Sequence, residues 1–261
     1  MTIELQHQVV YGPMRSRRFG RSLGINLLPN DHKQCSYNCV YCQYGATERA
    51  ESASYPSVDE VRQQAETEFA RSHASDERPD WIMIAGNGEP TLHPRLDEAI
   101  RTVIAARDRH LRGVPIGILS NSSTCHRPQV RDTLSLLEAR FMKLDAGDAD
   151  TFHRIDRPSS QDAWRRMISG LYQMKSITLQ SLFVTGTADN SNDAAVFHWV
   201  QAVGYLRPDA VQIYTLDRPP AEPGVLPVPW DRLRTIAALV RERTGVPAHA
   251  YPPSRPNEEQ I

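Results

Sequence analysis

The chain has 261 residues, of which 40% are hydrophobic and 23% charged, and its formal net charge is −1. These totals suit one large globular domain; they exclude a disordered chain and give no overall basic surplus for binding nucleic acid. No run approaches the ~18 apolar residues of a membrane span, and the polar start MTIELQHQVVYG lacks an apolar leader segment, so we expect no membrane contact and a cytoplasmic location.

Short apolar runs alternate with longer amphipathic segments along the chain. Between them, the first helical pattern begins after Ser57, and Glu60 completes a capping box. Six βα units predict an α/β fold with a parallel sheet, in the form of a partial TIM barrel, (β/α)6. The predicted strands are 24–29, 81–86, 115–120, 141–147, 177–186 and 210–217.

Three regions follow from this pattern. We expect a short Arg/Gly-rich N-terminal extension over residues 1–22 that packs on the barrel, the (β/α)6 core over 23–245, and a C-terminal tail over 246–261. The tail is rich in proline and polar residues, so we expect it to lie on the surface or to fray.

Three of the four cysteines lie in the stretch KQCSYNCVYCQYG, at Cys35, Cys39 and Cys42. Three plus one is not the pattern of a disulfide framework. Thiolates bind zinc or iron–sulfur clusters, and a closed zinc site would need a fourth ligand, for which His32 is a candidate. A 4Fe–4S cluster on three cysteines would instead leave one iron open to a small molecule.

The spacing C-x3-C-x2-C, with Tyr41 before the last cysteine, resembles the signature of radical S-adenosylmethionine (radical SAM) enzymes. The resemblance implies one 4Fe–4S cluster on Cys35, Cys39 and Cys42, whose open iron chelates the amino and carboxylate groups of SAM. It also implies reductive cleavage of SAM to a 5′-deoxyadenosyl radical that takes hydrogen from a substrate. An electron donor such as flavodoxin or ferredoxin is the implied partner.

Further stretches resemble the group that contains the tRNA wybutosine-synthesis enzyme (4-demethylwyosine synthase) and its bacterial relatives. They are YGPMRSRRFGRSLGINLLP, GNGEPTLHP, KLDAGDADTFHRIDRP and VQIYTLDRPPAEPG, and the resemblance covers roughly residues 10 to 225. The chain departs from that enzyme in having no cysteine before Cys35 and no basic surplus. The substrate therefore stays open: tRNA-base modification is one alternative, and an iron–sulfur electron-transfer or sensor protein is an alternative of another class.

The loops after the predicted strands supply candidate SAM contacts, because the carboxyl ends of parallel strands meet at one edge. By resemblance, the loops after the second and third strands contact SAM. Their candidate residues, taken together with Tyr41, are Gly86, Asn87, Gly88, Glu89, Ser120, Asn121 and Ser122. The simpler alternative is a polar turn with no ligand.

Strand alternation places Lys143 and Asp145 on one face, with Met142 and Leu144 on the other. If that face is interior, Asp145 can hold the SAM ribose. Lys143 can pair with Asp145, bind a substrate carboxylate or form a Schiff base, so it is a catalytic candidate beside the alternative of a buried ion pair. Cys125 is a second catalytic candidate, with an inert loop cysteine as the alternative.

Other polar residues near this edge stay less assigned. The arginines Arg15, Arg17, Arg18 and Arg21 can bind the SAM carboxylate or an anionic substrate, contact RNA phosphates, or form a solvated face. Candidates for the pocket lining are Asn190, Gln212 and Tyr214.

Overall fold

The computed structural model describes residues 3–47, 54–75, 78–218 and 220–253, in which strands and helices alternate. The strands are β1 Val10–Ser16, β2 Gly20–Ile25, β3 Trp81–Ile84, β4 Ile116–Ser120, β5 Ala139–Lys143, β6 Thr178–Leu182, β7 Val184–Gly186, β8 Ala210–Tyr214, β9 Val225–Pro227 and β10 Ala248–Ala250. The helices are α1 Val58–Ala74, α2 Leu96–His110, α3 Pro128–Leu134, α4 Ala149–Ile155, α5 Ala163–Gln173, α6 Asp193–Leu206 and α7 Trp230–Thr244.

Eight strands form the main sheet, in the order β1-β2-β3-β4-β5-β6-β8-β10. The β1–β2 hairpin is antiparallel, and every other neighbouring pair is parallel. Helices in the connections cover the sheet, so the strands bury near-continuous apolar runs. The predicted partial TIM barrel is confirmed.

The barrel is open, because β1 and β10 stand at opposite ends of the strand order. Side chains bridge the opening near the β1–β2 turn: Arg17 pairs with Asp217, and the Arg18 guanidinium carbon lies 4.3 Å from the centre of the Tyr214 ring. These contacts bring the first strands of the sheet against the residues at the end of β8.

Local sequence accounts for the helix ends. Ser57 accepts from the backbone N–H of Glu60, and the Glu60 carboxylate accepts from the backbone of Ser57, so the predicted capping box is confirmed. Helix α7 ends at Gly245, whose φ of 72° is the left-handed conformation that glycine adopts freely. None of the helices in the described ranges has the length and apolarity to cross a membrane.

Among the element boundaries that differ from the sequence prediction, three change how the strands pair. The first strand of the parallel array, β2, begins at Gly20 rather than at residue 24, because the β1–β2 hairpin sets its register. The predicted strand 177–186 divides into β6 and β7, and β7 leaves the main sheet to pair with β9. Within the expected tail, Ala248–Ala250 pairs with β8; the remainder, residues 254–261, lies outside the described residues.

Candidate functional site

The cysteine loop, which follows β2, is docked on the loop that follows β3. Gln34 donates its backbone N–H to Asn87 O at 2.8 Å, and Glu89 donates its backbone N–H to Gln34 O at 3.0 Å. Gly88 permits this approach: its φ is +140°, and a Cβ there would lie 1.9 Å from Gln34 O. Glycine at position 88 is therefore required for the two loops to meet.

The far side of the cysteine loop is held by the segment that closes α4. Backbone N–H groups of Asn38 and Val40 donate to Asp156 O and Ile155 O at 3.0 and 2.9 Å. Lys33, which is buried, donates to Gly45 O at 2.7 Å and ties the beginning of the loop to its end. The loop therefore has a fixed shape although it contains no helix or strand.

Cys35, Cys39 and Cys42 are half-buried free thiols within this loop. The Cys35 sulfur accepts from Asn121 Nδ2 at 3.4 Å, and Cys39 Sγ lies 3.3 Å from Asp156 Oδ1. Burial raises the pKa of Cys35 to about 11, and burial and the Asp156 charge raise that of Cys39 well above its ordinary range. A bound cation would favour their thiolate forms.

The thiol arrangement bears on whether the loop holds a cluster or a single metal ion. Among the described residues, no three His, Cys, Asp or Glu side chains converge closely enough to hold one metal ion. Both ring nitrogens of His32 are engaged, with Asp31 at 2.7 Å and Gln34 at 3.2 Å. A 4Fe–4S cluster would bind each thiolate through a different iron atom, whereas a zinc site would need its ligands to converge on one ion.

A cavity of about 330 Å³ opens beside the cysteine loop. Its lining combines aromatic and charged groups from the N-terminal hairpin, the cysteine loop and the end of β8. The aromatic, charged and thiol side chains of this lining include Arg17, Arg18, Tyr41, Cys42, Tyr44, Tyr214 and Asp217.

Lys143 and Asp145 lie on one face, as predicted, and form an ion pair with 2.8 Å between Nζ and Oδ1. Met142 and Leu144 point into the hydrophobic core. The Asp145 carboxylate also accepts from the Tyr41 hydroxyl and from Leu182 N at 2.7 Å, and Lys143 donates to the Tyr214 hydroxyl at 3.1 Å. Burial alone would lower the pKa of Lys143, but the Asp145 charge outweighs it and holds that pKa above its ordinary range.

Glu89 is buried at the end of the loop after β3, where protein donors surround its carboxylate. Its oxygens accept from Ser120 Oγ at 2.9 Å, from Thr91 N at 3.1 Å and from Asn121 N at 2.5 Å. Burial raises its pKa, and these hydrogen bonds act in the opposite direction. Glu89 therefore fixes the loop after β4 against the loop after β3.

Two other SAM candidates of the loop after β3 have structural contacts. The Asn87 amide donates to Gln6 O and Pro29 O at 2.9 and 2.8 Å and accepts from Gln6 N at 2.8 Å. A Cβ on Gly86 would lie 2.1 Å from Asn26 Oδ1. All three hydrogen bonds of the Asn87 amide therefore go to backbone groups, and Gly86 lies in close contact with the Asn26 side chain.

In the loop after β4, Asn121 and Ser123 reach the cysteine loop. Asn121 contacts Cys35 and donates to Ser36 Oγ at 2.9 Å, and Ser36 donates its hydroxyl to Ser123 Oγ at 2.6 Å. Ser122 adopts a positive φ of 68° and donates to Lys143 O at 2.8 Å. Cys125 lies in the hydrophobic core, hydrogen-bonded to Ser122 O at 2.9 Å, and burial raises its pKa to about 12. This placement favours the alternative of an inert cysteine, and the catalytic role of Cys125 stays a prediction.

Sequence reasoning missed Asp156, which the structure places against both Cys39 and the Tyr41 hydroxyl, each 3.3 Å from Oδ1. Its Oδ2 is buried with no hydrogen-bond partner among the described residues. Burial and the Asp145 charge raise its pKa well above the ordinary range. No local spacing signals this contact, because Asp156 lies 117 residues from Cys39.

Asn190, a predicted lining residue, donates its side-chain amide to the backbone oxygens of Asp145 and Leu182.

The curated relatives share most of this chain. The UPF0026 protein of Helicobacter pylori is 33% identical over 220 residues, covering 81% of this chain and 67% of that protein. UPF0026 protein slr1464 of Synechocystis is 30% identical over 214 residues, covering 80% of this chain and 76% of that protein. No family model matches the chain.

A protein of Brachyspira hyodysenteriae named GTPase Obg is 32% identical over 222 residues. The match covers 82% of this chain but 31% of that protein, so the chain spans about a third of its length. This sequence contains no Gly-Lys dipeptide, and it therefore lacks the phosphate-binding loop G-x4-G-K-[ST].

Solved structures of radical SAM enzymes share the fold. TYW1 with a lysine–pyruvate adduct bound gives a TM-score of 0.61 at 16% identity, covering 87% of this chain and 76% of that one. A radical SAM methyltransferase from Sphaerobacter thermophilus gives 0.58 at 17% identity, covering 88% and 66%. SuiB of Streptococcus suis bound to S-adenosylmethionine gives 0.61 at 11% identity, covering 87% and 50%.

Proposed function

The chain belongs to the UPF0026 family, and from that premise we propose that it is a radical SAM enzyme in which Cys35, Cys39 and Cys42 hold a 4Fe–4S cluster. The fold that it shares with TYW1 supports this proposal. The observation that carries this assignment is the loop itself, which presents three free thiols at the carboxyl edge of the parallel strands. The fourth cysteine, Cys125, is in the core. One iron would therefore lack a cysteine ligand and could bind SAM.

We propose that Glu89 meets the positively charged amino group of SAM. Oε1 accepts from Thr91 and Ser120, whereas Oε2 accepts only from Asn121 N among the described residues. A carboxylate oxygen has two lone pairs, so Oε2 keeps the capacity for a further donor. A cationic donor would also offset the burial that raises the pKa of Glu89. The rest of the loop, including Gly86, Asn87 and Gly88, would shape this contact through its backbone.

The SAM candidates outside the loop after β3 would lie on the other side of SAM. Asp145 is fixed by Lys143, Tyr41 and Leu182, so its position is set before any ligand arrives. Tyr41 joins the cysteine loop to that carboxylate, and Ser122 joins β5 to the loop that carries Asn121. When bound, the reduced cluster supplies the electron that cleaves SAM to a 5′-deoxyadenosyl radical.

The test is anaerobic reconstitution with iron and sulfide, reduction with dithionite, addition of SAM, and chromatography for 5′-deoxyadenosine. We expect 5′-deoxyadenosine to form only with the reconstituted, reduced protein. A protein that takes up a cluster but forms none would favour electron transfer or sensing. Flavodoxin or ferredoxin should replace dithionite as the reductant.

A tRNA base is the second candidate substrate, and the fold similarity to TYW1 favours it. The net charge of −1 provides no general attraction for RNA, so binding would depend on the arginines of the N-terminal hairpin. Filter binding of tRNA at two salt concentrations tests this candidate. Retention that decreases with salt and with Arg15→Gln would support it, and absence of retention would remove it.

The Schiff-base role considered for Lys143 is disfavoured by its surroundings. A Schiff base needs a neutral amine, but Asp145 pairs with the ammonium and raises its pKa. We propose that Lys143 acts as a fixed charge that orients Asp145 and Tyr214. Borohydride added with pyruvate should therefore leave the mass of the chain unchanged, and a reduced pyruvyl adduct on Lys143 would contradict this role.

A further inference from the structure

Arg18 has a guanidinium nitrogen with no hydrogen-bond acceptor in the described part of the chain. Its Nη1 is buried and makes no hydrogen bond. A guanidinium is always charged and has five N–H donors. A buried donor without an acceptor costs free energy, and such a group in a native structure commonly marks the position of a missing ion, water or ligand.

The guanidinium of Arg18 is held in place by aromatic rings rather than by a carboxylate. Its central carbon lies 4.3 Å from the centre of the Tyr214 ring and 5.4 Å from that of Phe19. Contacts with ring faces fix the plane of a guanidinium without using its N–H groups as hydrogen-bond donors. Arg18 also lines the cavity of about 330 Å³ that reaches Cys42.

The charges around this cavity leave one positive charge. Arg17 pairs with Asp217, and Lys143 pairs with Asp145 at 2.8 Å. In the described part of the chain, the charged side chains that line the cavity are Arg17, Arg18 and Asp217, so the lining has one more positive than negative charge. A single surplus charge matches a monoanion such as a carboxylate better than a dianionic phosphate.

A second donor lies beside Arg18. The Tyr214 hydroxyl oxygen accepts from Lys143 Nζ at 3.1 Å, which directs the hydroxyl hydrogen away from the ammonium. Tyr214 also lines the cavity, and its O–H has no acceptor among the described residues. Arg18 and Tyr214 therefore offer two donors to one planar acceptor group, the arrangement that suits a carboxylate.

We propose that Arg18 and Tyr214 bind a carboxylate of the substrate, beside the cluster that Cys42 helps to hold. The claim that this carboxylate belongs to a substrate rests on the proposed radical SAM function, whereas the anion site itself does not depend on that function. The proposal makes the substrate a small carboxylic acid, or a molecule that presents a carboxylate to this cavity.

The test compares propionate with propionamide, its neutral isostere, by ligand-observed NMR on the reconstituted protein with and without SAM. We expect propionate to bind and propionamide to bind much more weakly. Arg18→Gln should weaken propionate binding about ten- to hundredfold, the usual effect of losing a charge-assisted hydrogen-bond pair. Arg165→Gln is the matched control, because Arg165 is exposed on α5 outside the cavity lining, and it should leave the affinity unchanged.

Two milder variants keep the test decisive if Arg18→Gln fails to fold. Arg18→Lys keeps the charge but loses the planar fork, and Tyr214→Phe removes only the hydroxyl; each should weaken propionate binding several-fold. Equal binding of propionate and propionamide, or unchanged propionate affinity in the folded variants, would overturn the proposal.

SAM also has a carboxylate, and the same variants separate the two sources. If Arg18→Lys weakens SAM binding and leaves propionate binding intact, the guanidinium serves SAM and the proposal is wrong. If the wild-type protein forms no 5′-deoxyadenosine, that result would instead count against the proposed function. Selective propionate binding would still establish the anion site.

Discussion

Two sides of the strand edge use their polar groups differently. On the scaffold side, defined by Asn87, Glu89, Ser120 and Asn121, hydrogen bonds within the chain fix one loop on the next. On the cavity side, defined by Arg18, Lys143, Asp145 and Tyr214, two charges neutralise each other but the Arg18 nitrogen has no acceptor. We infer that the scaffold side sets the position of the cysteine loop and offers SAM the Glu89 carboxylate, whereas the cavity side meets the anionic group of a further ligand.

The largest effect is expected at the cysteine loop, which lies between the two sides. Replacing Cys35, Cys39 or Cys42 by alanine should reduce 5′-deoxyadenosine formation to the level without protein, because in the proposed cluster each thiolate would hold a different iron. Cys125→Ala is the control and should retain SAM cleavage, with a loss of about 1 kcal/mol in unfolding free energy from the altered core. Cleavage retained in all three loop variants would remove the cluster assignment.

On the scaffold side, Gly88→Ala should prevent the cysteine loop from docking. The added Cβ would lie 1.9 Å from Gln34 O at a φ of +140°, so the backbone must shift. We expect iron and sulfide uptake to decrease several-fold. Gly113→Ala is the matched control: its φ is +86°, but the nearest atom to its Cβ would be 3.8 Å away. Equal uptake by the two variants would mean that loop docking does not determine cluster binding.

On the cavity side, Asp145→Asn should leave the Lys143 ammonium without its anion. Removing one partner of a buried pair costs about 3–5 kcal/mol, which urea denaturation of the metal-free chain would measure. The double variant Lys143→Met with Asp145→Asn should recover much of this loss. Asp231→Asn breaks the exposed ion pair between Asp231 and Arg234 on α7, and it should cost less than about 1 kcal/mol of unfolding free energy. Similar losses for Asp145→Asn and Asp231→Asn would contradict the buried pair.

The smallest effect concerns the pH dependence of the scaffold side. Because burial raises the pKa of Glu89 above its ordinary value of 4.5, the folded chain binds this proton more tightly than the unfolded chain. The contribution of this carboxyl to stability is full below that ordinary value and is lost as pH rises through the raised pKa. From about pH 4 to 7, the unfolding free energy of the wild type should therefore decline relative to that of Glu89→Gln.

Glu60→Gln supplies a control of opposite sign. Hydrogen bonds from Ser57 lower the pKa of Glu60, so its contribution is present above the ordinary value and is lost as pH falls. The wild type should gain stability relative to Glu60→Gln as pH rises. Parallel pH curves for the wild type and Glu89→Gln would mean that Glu89 is not perturbed in the folded chain.

The sequence was sufficient where a local period determines the geometry. Alternation along one strand placed Lys143 beside Asp145, and the capping spacing located the start of α1; both are confirmed. The alternation of apolar runs and helices also predicted the parallel sheet and the edge at which the polar loops gather.

The sequence was insufficient where contacts join distant segments. Nothing in the spacing shows that Asp156 reaches Cys39 or that Arg18 reaches Tyr214, because tertiary packing alone determines these pairs. The direction of a loop amide is equally hidden, so the sequence did not show that the Asn87 and Asn190 amides donate to backbone carbonyl groups. The burial of Cys125 against α5 likewise depends on packing rather than on a local pattern.

The most direct test is the electron paramagnetic resonance spectrum of the reduced, reconstituted protein before and after addition of SAM. If Cys35, Cys39 and Cys42 hold a cluster with one open iron, the reduced cluster should give a signal whose g values change when SAM binds. A signal that is indifferent to saturating SAM would contradict the central claim and assign the cluster to electron transfer or sensing.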